Sequence, residues 1–471
     1  MTRQIETDYL VVGAGASGMA FTDELVNRSD AEVVLVDRRH RPGGHWIDAY
    51  PFVRLHQPSA CYGVNSRKLG NDRIDEVGPN AGFYERATPH EIRDYYTRVL
   101  EEQMLPSGQV RFLGMSDYRG SGADGHHVVS TLTGETTTVK VRRKLVDTTY
   151  TEGTIPSRHT PAFEVSDGVR LIPPNDLVDL GGAPSGYTVL GAGKTSMDTC
   201  MWLLDQGVSP DRIRWIRSRD VWAFDRSVMQ PLDLMTGQVE LFAAMYEAAA
   251  ESSDPIEMML ALESEAMTLR LDESVVPQVF RGATLSRIEF EALRQISNVV
   301  RLGKVRRIDT DRVTLDGGTI ASDPRQVYVD CTASAVKPVP ARPIFESGRI
   351  TTQMTTLGVI PWSAATVGYV EASHDDDDEK NQLCPPIPLT GELAHDLEAF
   401  YVAMKLPTVR MGDPGLSAWN ESARLNPMGG MAERMGDPEI QGAFARMAAS
   451  MQPALANMER ILAQQDQAVS A

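Results

Sequence analysis

Residues 8–18 read DYLVVGAGASG, a β-rich apolar run that breaks into a turn with glycines at 13, 15 and 18. The pattern predicts a strand, a tight turn and a helix continuing from Met19 to Val26. Each glycine has a distinct task in such a turn. Gly13 permits the reversal, Gly15 lets a pyrophosphate approach the backbone, and Gly18 allows the helix to pack closely on the strand. Residues 31–37, AEVVLVD, supply a second buried strand and close a βαβ unit. Asp37 ends that strand, where a carboxylate can hold ribose hydroxyls. Ser17 in the turn and Arg38 after the acid complete the local candidate set for a dinucleotide.

The same design recurs at 187–196, YTVLGAGKTS, followed by the strand RIRWI at 212–216. Gly191 and Gly193 repeat the first two glycines, Lys194 and Thr195 open the helix, and Ser196 stands in the third position. Where a ribose-binding acid would be expected, the chain has Arg217-Ser218-Arg219. Guanidinium groups there suit a 2′-phosphate and favour NADPH over NADH, the alternative being a surface basic cluster. Two dinucleotides on one chain imply a relay in which a nicotinamide delivers hydride to a flavin.

Composition sets the outer limits. With 471 residues the chain is long enough for two or three domains. A net charge of −18 repels nucleic acid and anionic membrane surfaces. No uninterrupted apolar run is long enough to span a bilayer, so no membrane segment is expected. The start, MTRQIETDYLVVGAG, has no apolar signal core, and a cytoplasmic location is the expectation. Cys61, Cys200, Cys331 and Cys384 lie far apart without a CxxC, which argues against a redox disulfide or a zinc site.

Other stretches organise the chain. Thr88-Pro89-His90-Glu91 reads as a capping-box start of a helix running to Met104. Residues 108–145 read as a β-meander. From 235 to 298 the pattern turns helical and rich in Met, Ala and Glu, including Met258, Met259 and Leu262, and reads as an insertion. Core filling and an adaptable substrate wall are the two readings of its methionines. HDDDDEKN at 374–381 reads as a solvated loop, and the Met- and Ala-rich tail from Gly415 carries no chemical signal.

After the first βαβ unit comes Arg41-Pro42-Gly43-Gly44-His45-Trp46, and then Tyr50-Pro51-Phe52-Val53-Arg54-Leu55-His56-Gln57-Pro58. With the two glycine turns and the strand ends at 146–149 and 329–333, this order resembles the flavin-containing monooxygenases. Their N-hydroxylating, Baeyer–Villiger and plant auxin-synthesis relatives share the resemblance. It covers 1–220 well and 325–370 loosely. It implies FAD against Gly44, His45 and Trp46, and NADPH on the second turn. It further implies oxygen transfer from O2 to a small nitrogen-, sulfur- or carbonyl-centred substrate through a flavin C4a-hydroperoxide. Gln57 then falls where the family often has Asn beside the flavin. His56 and Asn65 join it as catalytic candidates, with Ser59 and Tyr62 as packing or loop hydrogen-bonding residues. One departure is plain. Residues 158–177 contain Phe163 and Gly168, but not at the spacing of the family's FxGxxxHxxxW signature, and no matching His or Trp.

The expected architecture is α/β with two Rossmann-like dinucleotide-binding domains. Residues 1–160 and 325–471 form the FAD domain, and 161–324 form an inserted NADPH domain. The partners are a small-molecule substrate and O2, with self-association left open and no metal. A flavin reductase or dehydrogenase without oxygen insertion, and a non-catalytic flavin-binding protein, are the alternatives.

Overall fold

The computed structural model of the protein describes residues 3–335 and 337–470. The first part contains β1 (Arg3–Val12), α1 (Ala16–Arg28), β2 (Val33–Val36), α2 (Pro89–Val99), β3 (Val110–Leu113), β4 (Ser116–Gly122), β5 (Gly125–Ser130) and β6 (Thr136–Asp147). β1 is central, pairing in parallel with β6 on one side and β2 on the other, with β3 beyond β2. Covered on both faces, its Leu10 and Val11 are completely buried, which is why this strand reads as an unbroken apolar run. The β4–β5 hairpin joins β6 antiparallel, while β3, expected within the meander, belongs to the parallel sheet. Thr88 and Glu91 form both bonds of the capping box that starts α2.

The middle of the chain forms a second α/β unit. It contains β7 (Glu164–Val165), β8 (Arg170–Ile172), β9 (Tyr187–Leu190), α3 (Lys194–Asp205), β10 (Ile213–Ile216) and β11 (Val221–Asp225). It continues with α4 (Thr236–Glu251), α5 (Pro255–Ser264), β12 (Thr268–Leu269), β13 (Val279–Leu285), α6 (Arg287–Arg294) and β14 (Val299–Val300). β15 (Val305–Ile308), β16 (Arg312–Leu315), β17 (Gly318–Ala321) and β18 (Val327–Asp330) end it. Its main sheet is parallel in the order β14-β10-β9-β18-β8. Because β18 lies beside β9, the chain returns to the first unit after Asp330 rather than at the expected 324. The stretch 235–298 is not purely helical either. β12 and β13 flank β11 in a three-stranded sheet, so the apolar run VFRGATL is a strand.

The return segment contains β19 (Phe345–Glu346), β20 (Arg349–Thr351), α7 (Ile360–Ser373), α8 (Asp377–Leu383), α9 (Leu397–Met411), α10 (Pro414–Ser422), α11 (Met431–Arg434) and α12 (Pro438–Ser470). β20 adds to β6 in parallel and extends the first sheet. α7 lies against α1 at Gly368, where a Cβ would come within 2.7 Å of Phe21 O. The architecture is therefore α/β with two Rossmann-like units, the second inserted in the first. The acidic run at 374–381, expected as a loop, instead enters α8. Asp376 caps it through Glu379 N at 2.9 Å, and Asp377 is bonded to Lys144 and Lys380. No helix among the described residues is long and apolar enough to cross a membrane.

A buried charge cluster joins the units. Glu289, at N3 of α6, accepts from Ser286 N at 2.9 Å and from Arg226 Nη2 at 2.5 Å, both on Oε2. Its Oε1 faces Arg86 Nη2 at 3.3 Å, and Arg86 in turn donates to Leu55 O. Burial works to raise the carboxyl, but Lys194, Arg226 and Arg86 outweigh it and hold it at about 2. Glu289→Gln is expected to cost about 3–5 kcal/mol in urea unfolding, because it strands two buried guanidinium groups. The folded value lies below the ordinary 4.5, so this stabilisation is complete above that pH and drains as the pH falls toward 2. The variant should lack that part of the acid limb; a variant as stable as the parent removes the role.

Candidate active site

The first glycine turn is built by backbone meeting backbone. Gly13 has φ +102°, and its N–H donates to Val36 O at 2.8 Å. A Cβ on Gly18 would sit 1.9 Å from Gly13 O, so only glycine lets α1 settle on the turn. Gly44, at φ +56°, faces Gly15 so closely that its own Cβ would meet Gly15 Cα at 2.9 Å. The two form the walls of a narrow cradle at the N-terminus of α1, where free amides and the helix dipole favour a phosphate. Asp37, at the end of β2, accepts from Ala14 N and Arg39 N, each at 2.7 Å, which fixes its carboxylate at the cradle's edge. Arg38 pairs with Glu152. Ser17, Arg38, His45 and Trp46 line the cavity beyond. Trp46 is held by a 2.6 Å bond from Nε1 to Tyr62 Oη.

The second turn follows the same plan with one change. Gly191 has φ +123°, and a Cβ there would come within 2.6 Å of Cys331 O. Around Gly193 the space is open. Ser196 is buried, its hydroxyl turned back to Gly193 O at 2.7 Å, so it braces the turn from behind and does not line the cavity. The arginines that follow β10 separate. Arg217 carries the strand register onward, its N–H bonded to Val300 O, and its guanidinium lies over the Trp215 ring at 4.9 Å and pairs with Asp220 at 2.9 Å. It is buried and absent from the cavity wall, which corrects its expected place at a 2′-phosphate. Ser218 and Arg219 do line the cavity, Arg219 paired with Glu392. Lys304 and Arg306 line it as well. Sequence reading missed both, because they come from β15 and its approach, about ninety residues away.

Between the two cradles the units touch. Tyr50 Oη donates to Asp198 Oδ2 at 2.9 Å, and the other oxygen of Asp198 is paired with Lys194. Phe52 stacks on Trp202 of α3 with centroids 4.9 Å apart. His56 and Gln57 line the cavity here. Enclosure by protein atoms, and then the charge of Lys194, push the His56 imidazole down to about 4, so it is neutral at pH 7. Asn65 does not join them. Its amide donates to Glu24 and accepts from Leu425 N at 2.9 Å, outside the cavity wall. That asparagine ties α1 to the C-terminal segment, which corrects its candidacy. Ser59 accepts from Ala87 N at 2.8 Å and Tyr62 supports Trp46, both as loop hydrogen-bonding residues.

One cavity of about 1560 Å³ connects all of this. Small-molecule pockets usually span about 300–1,000 Å³, so it has room for more than one ligand. Past the point where the units meet, its wall becomes apolar and is supplied by α4, α9 and α12. Met258, Met259 and Leu262 are not on it. They are buried in a core with Trp222, Phe280 and Phe400, which settles them as packing residues. The tail, expected to carry no chemical signal, supplies part of the wall through α12. All four cysteines are buried and unpaired with one another.

Comparison with known proteins agrees with this geometry. The model of NAD(P)-binding Rossmann-like domains matches residues 11–56. An uncharacterized protein of Mycobacterium tuberculosis (strain ATCC 25618 / H37Rv) is 44% identical over 425 residues, covering 90% of this chain and 78% of its own length. A polycyclic ketone monooxygenase from the thermophilic fungus Thermothelomyces thermophila aligns over 98% of this chain and 89% of its own. The TM-score is 0.54 and the identity 11%. An oxidized steroid monooxygenase bound to NADP aligns over 78% of this chain and 85% of its own, with a TM-score of 0.52 and 15% identity. The chain belongs to one family with the mycobacterial protein, and it shares its fold with these monooxygenases.

Proposed function

We propose that the protein is an FAD- and NADPH-dependent monooxygenase that transfers one oxygen atom of O2 to a small organic substrate. The observation that carries this reading is the opening of two glycine cradles onto one cavity that continues into an apolar chamber. A flavin fits the first cradle: the Gly15–Gly44 apposition leaves bare backbone for a pyrophosphate, and Asp37 can take ribose hydroxyls. The bound flavin would accept hydride from the nicotinamide and pass electrons to O2. The chain's own residues do the rest. Ser218 and Arg219, which line the cavity together with Lys304 and Arg306, can hold the 2′-phosphate of NADPH. Lys194 can turn from Asp198 toward the pyrophosphate. Gln57 offers an amide donor on the cavity wall, and neutral His56 has one ring N–H to give. The apolar wall keeps water away from the reacting atoms.

The direct test is the purified protein's visible spectrum, its bleaching by NADPH without oxygen, and oxygen uptake with amines, sulfides and ketones. Substrate-linked uptake with an oxygenated product supports the reading. Bleaching without any oxygenated product moves the protein to the reductases, and no bleaching at all to a binding role. Gly15→Val should fold but lose FAD, since the Cβ at this position meets only Gly44 Cα at 3.5 Å while the side chain fills the phosphate's space. A flavin-free wild type overturns the cofactor assignment.

Coenzyme choice separates the two arginines. Arg219→Ala should raise the KM for NADPH roughly tenfold to a hundredfold and leave NADH little changed, since a charge-assisted phosphate bond contributes about 1.5–3 kcal/mol. Arg217→Ala should instead lower the melting temperature, because it leaves Asp220 with one arginine fewer. A wild type that prefers NADH contradicts this. Gln57→Leu should keep FAD and anaerobic reduction while hydrogen peroxide released per NADPH rises and product falls. If only His56→Ala has that effect, the role passes to His56.

A further inference from the structure

Three helices outside the dinucleotide sheets present apolar stripes to open space. On α4 the cavity wall takes Gln238, Leu241, Phe242, Met245 and Tyr246, a run at helical spacing. On α12 it takes Phe444, Met447, Ala448 and Met451, at the same spacing. α9 adds Met404 and Pro407 between them. Such stripes ordinarily face a packed core. Here Leu241, Met245, Tyr246 and Met404 are largely packed in that way, while the half-buried Phe242, Met447 and Met451 leave surface on a void that is stabilised only when an apolar body covers it. Of the wall residues on these three helices only Arg410 is charged. Its guanidinium is committed to Leu383 O, Thr355 O and Thr356 Oγ1. Tyr246 is also committed, donating to Met404 O at 2.5 Å. Gln238 is different: it is 6% exposed, and its side-chain oxygen has no partner among the described residues.

We infer that this chamber binds an uncharged, extended apolar molecule, with its hydrocarbon body against α4, α9 and α12 and a hydroxyl that donates to Gln238 Oε1. The inference rests on the monooxygenase reading for what becomes of that molecule, but not for its binding. The methionines Met245, Met404, Met447 and Met451 adapt to different shapes, so length and apolarity are selected over outline. An ionised substrate is disfavoured, because among the described residues these three helices offer its charge only the committed Arg410.

Calorimetric titration of the purified, flavin-loaded protein with 1-hexanol, 1-octanol, 1-decanol and 1-dodecanol tests this without turnover. Affinity should rise roughly fourfold for each added methylene, the increment for burying one CH2. Decanoate should bind about tenfold or more weakly than 1-decanol. Met451→Lys should abolish the dependence on length while NADPH still reduces the flavin. Gln238→Leu should weaken every alcohol by a similar factor of about ten and leave the slope intact. Met258→Ala, in the neighbouring core but off the wall, should lower stability without changing the slope. Affinity that does not depend on chain length, or decanoate binding as well as the alcohol, overturns the chamber. A colourless protein that still shows the slope overturns only the oxygenase reading.

Discussion

Glu289 stands with its two carboxylate oxygens toward guanidinium groups from distant parts of the chain, Arg86 in the first unit and Arg226 in the second. Both arginines are buried, and the Nε of each has no partner among the described residues, so the shared carboxylate is their charge balance. A carboxylate in that position cannot be given up cheaply, because separating the units would leave charge stranded in a low-dielectric interior. The cavity owes its shape to this constraint. With α6 fixed against the 86–89 segment, Tyr50 reaches Asp198 and Phe52 reaches Trp202, so the mouths of both cradles open onto the same space. The ion cluster sets the relation between the units, and the aromatic contacts tighten it.

Along the cavity, chemistry changes in a fixed order. The two ends carry backbone amides, Asp37 and a basic group at Ser218 and Arg219, suited to phosphates and sugars. The middle holds neutral donors, His56 and Gln57. The far arm is hydrocarbon. Under the proposed function, such a gradient would let charged coenzymes be held by their remote ends while the reacting centre stays dry, which is where binding energy is best used.

Much of this was legible in the sequence because it is local. A glycine turn between a strand and a helix signals itself within a dozen residues, and both cradles, Asp37 and the α2 capping box stand as the residues imply. What sequence reading missed depends on facing and on distance. Arg217 and Arg219 look equivalent in a string, yet the two-residue period of β10 puts Arg217 on the face of Trp215, where it stacks and is buried. Asn65 lies close in sequence to Gln57, but α1 and the C-terminal segment claim its amide. For the α4 pattern core filling and substrate wall both stay open, and the tail carries no signal, because periodicity cannot tell a packed face from one that borders a void. β18 was assigned to the wrong sheet because its pairing with β9 spans well over a hundred residues of intervening chain.

The crossing of the chain also orders events in time. All five strands of the second parallel sheet lie between residues 170 and 330, so it can assemble once that segment has left the ribosome. The first sheet cannot. Its β20 strand arrives only with residues 349–351, and the close seat of α7 on α1 waits for Gly368. During synthesis the inserted unit can therefore mature while the N-terminal βαβ still shows an unpaired strand edge on β6 and an uncovered face on α1. Contacts so far apart in sequence slow folding and lengthen exposure to wrong partners. The part of the molecule made first is the part that is finished last.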